Sequence, residues 1–145
     1  MIPGIQSTMN GMNIAKAGLA GGIIMFILMV ISGFLVNLVM PSDLSQYGGM
    51  RPMNDPVMNF FYLYPFIVAF ATAFVFDIVQ DCLKGSAVQK GLTYAGILFA
   101  VMTVPSLYVM YTSMTWPLDF YLSTAIWEIV SFPLIGVLFA KVWKV

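Results

Sequence analysis

Hydrophobic residues fall in four long, nearly unbroken stretches, near residues 14–40, 58–83, 88–111 and 118–142. Each is long enough for a helix that crosses a hydrocarbon core, which takes roughly 20 residues. None shows the alternation of apolar and polar positions that a lipid-facing barrel strand needs, and in lipid every backbone donor and acceptor must pair within the protein. The pattern therefore predicts an all-α, integral membrane four-helix bundle formed by one domain over residues 1–145. The connections agree. An outer loop at 41–57 carries Pro41, Ser42, Asp43, Gly48, Gly49, Pro52, Asp55 and Pro56, which cannot continue a helix. Lys84, Gly85 and Ser86 make so short a turn that the second and third spans form an antiparallel hairpin. Pro117 is placed to open the fourth span, because the N–H it lacks would be unpaired there anyway.

Composition sharpens this reading. The chain is 61% hydrophobic and only 8% charged, with mean hydropathy +0.93, against about 25% charged in soluble domains. Such a chain cannot cover a water-facing surface, so the lipid bilayer is the expected partner. Six basic and six acidic residues cancel, which leaves no field to gather nucleic acid. Lys16, Lys84, Lys90, Lys141 and Lys144 fall on one side of a four-span arrangement and Arg51 on the other. By the positive-inside rule the N and C termini are cytoplasmic, in a multi-pass protein of the plasma membrane. The first stretch exceeds the ~7–15 apolar residues of a signal peptide and is read as a retained span. Tyr62, Tyr64, Tyr108, Tyr111, Trp116 and Tyr121 near the outer ends, with Trp143 at the inner end, suit headgroup-level anchoring.

One residue stands out chemically. Glu128 lies mid-span, where a charge costs on the order of 2.5–3.5 kcal/mol or more. At 100° per residue Tyr121, Thr124, Glu128 and Ser131 share a sector about 80° wide, a polar stripe expected to face the bundle interior. With no basic residue at that depth, burial favours the neutral carboxyl, which can donate one hydrogen bond. Counting ~1.5 Å per residue places Thr103 at nearly the same level and Ser32 not far off. Pro105 and Pro133 flank that level and Pro65 interrupts the second span; each removes a backbone bond, so kinks are expected. Structurally the acid would tie two helices together; functionally it would bind a cation or relay a proton.

Asp77, Gln80 and Asp81 form a second polar group toward the inner end of the second span. The same rise separates Asp77 from Glu128 by roughly 12 Å, too far for a carboxylate pair, and Asp77 and Asp81 are expected to reach interface water or Lys84. Asp77 shares its face with Ala69 and Ala73, whose spacing admits another helix closely. Gly18 and Gly22 form a GxxxG in the first span, and Gly136 with Ala140 has similar spacing in the fourth; packing within the chain is the expected use of both.

Other chemistries find little support. The chain has no histidine and a single cysteine, Cys82, so an internal disulfide, a thiolate metal cage and His-based catalysis have no residues to build them. Its twelve methionines lack metal-binding spacing and suit flexible filling. No cofactor or catalytic residue is implied. Tyr47, Gly48, Gly49, Met50 and Arg51 in the outer loop fit a small lid or a partner contact equally well.

The segments AGLAGGIIMFILMVISG, WPLDFYLSTAIWEIV and LFAKVWK together resemble uncharacterised small prokaryotic four-span integral membrane proteins. The resemblance implies the fold and no activity. Small multidrug transporters also combine four spans with an intramembrane glutamate, but their essential acid lies in the first span, where this chain has none. The function expected first is that of a non-enzymatic membrane subunit or assembly/interaction protein, within a homo-oligomer or a larger membrane complex; the alternative is a small transporter or proton/cation pathway centred on Glu128. An intramembrane enzyme ranks last, for want of a nucleophile and base pair.

Overall fold

The computed structural model describes residues 9–41, 48–49, 51–52 and 54–145. Expectations placed on Ser42, Asp43, Tyr47 and Met50 lie outside the described residues. Among those described there is no strand; the chain forms four helices long and apolar enough to cross a membrane. The first, α1 (Gly11–Val39), starts at Asn10, whose side chain accepts from the Asn13 N–H. The second begins as a 3-10 helix at Pro56–Leu63, continues as α2 (Tyr64–Val79) and ends in a 3-10 turn at Gln80–Cys82. The third consists of α3 (Ala87–Leu98), a π-helical turn at Phe99–Thr103 and α4 (Val104–Ser113). The fourth is α5 (Leu118–Trp143), which runs unbroken through Pro133 and is capped N-terminally by Pro117.

Local sequence accounts for these ends. Ser86 and Gln89 bond reciprocally to each other's backbone N–H, a capping box that starts α3. Gly85 turns the chain just before it at φ 98°, in the left-handed region that suits glycine. The π turn lies immediately before Pro105. A proline ring in a regular helix would meet the carbonyl four residues back, that of Val101, and the wider turn makes room there. Pro65 sits in the first turn of α2 instead of kinking a mid-span helix, because the 3-10 segment before it has already changed the helical register.

Antiparallel contacts organise the bundle. Glycine positions on α1 receive side chains of α2: a Cβ on Gly18 would meet the Phe70 ring and one on Gly22 the Phe66 ring. A Cβ on Gly21 would stand 3.4 Å from that of Ala69. The small-residue pairs of the first two spans thus serve packing within one chain. On its other side α1 meets α5, where a Cβ on Gly21 would lie 3.2 Å from Phe139 and 3.6 Å from Ile135. Backbone meets backbone where α3 crosses α5, Gly91 against Gly136. Although the hairpin joins α2 and α3, aromatic rings separate them. Phe76 lies edge-on to Tyr94 at 5.1 Å, to Trp143 at 5.4 Å and to Phe139 at 5.9 Å, and the Tyr94 hydroxyl donates to Thr72 O at 2.5 Å.

Burial is confined to one half of the bundle. Met25, Pro65, Thr103 and Trp127 are the last buried residues of the four spans before the end that carries the 41–57 connection, and beyond them only Asp119 is buried among the described residues. The 3-10 segment Pro56–Leu63 and α4 bury none of their residues. The half that carries the start of α1 and the end of α5 is packed; among the described residues the loop half buries little.

Candidate functional site

Glu128 lies at the boundary between these halves, 5% exposed, on the turn of α5 that also holds Trp127 and Ser131. The Trp127 indole donates to Met25 O at 3.0 Å and fastens α5 to α1 at this level. Opposite stands Thr103, the last residue of the π turn, wholly buried, with its hydroxyl facing the carboxyl at the range of a long, incomplete hydrogen bond. Neither side chain completes a hydrogen bond with the other. Glu128 Oε2, Thr103 Oγ1 and Ser131 Oγ are all buried without a hydrogen-bond partner within the chain. An unsatisfied buried polar atom costs about 1–3 kcal/mol, so each of the three calls for an explanation.

The rest of the expected polar stripe is committed elsewhere. Thr124 returns its hydroxyl to Phe120 O at 3.0 Å, and Tyr121 donates to Met114 O at 3.1 Å. Ser32 bonds its own helix at Met29 O instead of approaching the acid. One aromatic neighbour escaped the sequence reading. Tyr64, expected only as an anchor, lies 5.7 Å from Trp127 ring to ring and within electrostatic reach of Glu128.

Asp77 departs from its expected role. It is 2% exposed, and among the described residues it forms no ion pair with Lys84. Its carboxylate accepts the Trp143 indole N–H at 2.6 Å and the Asn10 backbone N–H at 3.2 Å, while the Gln80 amide donates to Asp77 O at 3.2 Å. This network joins the start of α1, the end of α2 and the last residue of α5. Asp81 and Cys82 remain exposed. Trp143, expected at headgroup level, is thus a buried structural donor. Nothing in its position along the chain signalled an acid as its partner.

Chemically, the Glu128 site offers oxygen donors and a single formal charge. No group of three or more His, Cys, Asp or Glu side chains able to hold a metal ion occurs among the described residues, so a site for softer transition metals is not assembled. The chain matches no protein-family model, no curated protein and no solved structure.

Proposed function

We propose that this protein is a small proton or cation pathway of the plasma membrane, with Glu128 as its obligatory station. The three unpartnered buried oxygens of Glu128, Thr103 and Ser131 carry the reading. Had the acid served only to tie helices together, its second oxygen would be expected to hold a neighbour, since an idle buried carboxylate oxygen costs more than the bond contributes. Burial ends at this level on the loop side, while the half behind it is packed around Asp77 and Trp143; in this reading the ion enters from the loop side. With the termini and five lysines on the cytoplasmic face, the loop side faces outward. A thin-walled four-helix unit works as a dimer in this reading. The test is flux in proteoliposomes under an imposed potential, followed with proton- and sodium-sensitive dyes. Wild-type chain is expected to conduct and Glu128→Gln not to; equal flux from both abandons the proposal. A reporter fused after Val145 that appears outside the cell overturns the orientation.

A second reading, a non-enzymatic subunit or assembly protein, is favoured by the unpacked faces of α4 and the loop half of α1. Phe34, Leu38, Val104 and Val109 are each more than half exposed there, as helices await partners in a larger complex. Native mass spectrometry of gently extracted membranes separates the two: co-purification in fixed stoichiometry with another membrane chain, without flux, decides for the subunit.

A further inference from the structure

We propose that Glu128, Thr103 and Ser131 form a binding site for one dehydrated monovalent alkali cation, an inference that rests on the pathway reading and names its ligand. The first ground is the behaviour of the hydroxyls. Ser32, Thr72, Thr112, Ser113, Ser123 and Thr124 all return their side chains to a carbonyl of their own helix, the usual fate of such a group in a helix. Thr103 and Ser131 are wholly buried, with more to gain from such a bond, and do not make one. Together with Glu128 Oε2 they present three oxygens whose lone pairs are unused.

The second ground is charge. No charged residue lies between Lys16 and Met40 on the first span, between Asp55 and Asp77 on the second, or between Lys90 and Ser113 on the third. Between Asp119 and Lys141 on the fourth, Glu128 is the only one. One carboxylate neutralises one positive charge. A divalent ion would keep an uncompensated charge in a medium of low dielectric, which is prohibitive. A bare proton turns the carboxyl into one donor and satisfies at most one hydroxyl, whereas a small cation can take lone pairs from several oxygens. Hard oxygen donors without nitrogen or sulfur suit an alkali ion. The π turn contributes by fixing where Thr103 stands, at the last wide turn before Pro105; single π turns of this kind occur often at functional sites.

Equilibrium binding of radioactive sodium to the full chain in detergent tests this, with thermal unfolding in NaCl, KCl, MgCl2 and choline chloride at equal ionic strength. One sodium per chain is expected, with NaCl raising the unfolding midpoint by a few degrees over choline chloride and MgCl2 adding nothing. Glu128→Gln should abolish binding. Thr103→Val, which removes one oxygen and keeps the shape, should weaken it by about tenfold, and it carries the test if the Glu128 variant does not fold. Binding of potassium in place of sodium upholds the monovalent class. Stabilisation by magnesium alone, unchanged binding in Thr103→Val, or no alkali binding overturns the inference. Glu128-dependent proton flux without sodium binding would sink this inference and leave the pathway standing, while sodium binding without flux would do the reverse.

Discussion

Gly91 on α3 and Gly136 on α5 bring two helical backbones into direct contact: a Cβ on Gly91 would lie 2.5 Å from Val137 N and 2.7 Å from Gly136 C. No rotamer change relieves such a clash, because the obstacle is main chain. A Cβ on Gly136 would likewise meet the Gly91 carbonyl oxygen, so Gly136→Ala is expected to lower the thermal midpoint in detergent, at a cost of about 1–3 kcal/mol. Gly33 and Gly96 are helical glycines with nothing within 4 Å of an added Cβ. Alanine at either should leave the midpoint unchanged or raise it slightly, since alanine favours the helix by up to ~1 kcal/mol. Thermal scans of the three variants side by side check the contrast.

Much of the architecture was legible from hydrophobic patterning because lipid-crossing helices carry their signal within themselves. The stretch read at 88–111 is a helix over Ala87–Ser113 and that at 118–142 one over Leu118–Trp143. The partners of individual side chains were less legible. Rise per residue sets a level along the bundle axis, so Thr103 could be matched to Glu128, but it does not say which helix stands beside which. Gly91 looked like one more glycine in an apolar run, and its significance lies in Gly136, which comes one full span later. Trp143 read as an interfacial anchor for the same reason: its partner Asp77 belongs to a helix that its own neighbours in sequence do not reveal.

Trp143→Phe keeps most of the ring packing against Phe76 and Phe139 and removes the N–H that Asp77 accepts at 2.6 Å. A buried acceptor left without its donor costs about 1–3 kcal/mol, so a loss of that order is expected. The start of α1 should loosen with it, because the Asn10 N–H bonds the same carboxylate. Faster hydrogen exchange at Asn10 and Gly11, beyond what global destabilisation explains, is the specific readout. An unchanged exchange pattern would mean that the three helix ends are held independently.

Asp55, outside the spans, supplies the pH dependence. The Val57 N–H and the Arg51 guanidinium, 2.9 Å from its carboxylate, hold its pKa below the ordinary 3.8. The sign follows: a carboxyl whose folded value is depressed contributes above its unfolded value and loses that contribution as pH falls through the folded one. The cap at Pro56 should therefore be intact at neutral pH and come undone only below about pH 4. Following the Val57 amide shift on acidification locates the midpoint. Asp55→Asn retains a side-chain cap and should flatten the titration, and Arg51→Gln should raise its midpoint.

Pro105 links the shape of the third span to the chemistry at Glu128. Its ring and missing N–H disfavour a regular helix over the preceding turn, which in the protein is π-helical from Phe99 to Thr103. Pro105→Ala returns a donor for Val101 and removes the reason for the wide turn. Collapse to an α-helix takes one residue out of that turn, which rotates one side of the span relative to the other by about 100°. Thr103 would then leave the level or the face it shares with Glu128. The variant is expected to melt higher than wild type, since it gains a backbone bond, and yet to lose most of the Glu128-dependent flux. Such an exchange of activity for stability is characteristic of a turn kept for its site. If the variant were more stable and conducted as well as wild type, the π turn would be a packing accommodation and Thr103 no part of the pathway.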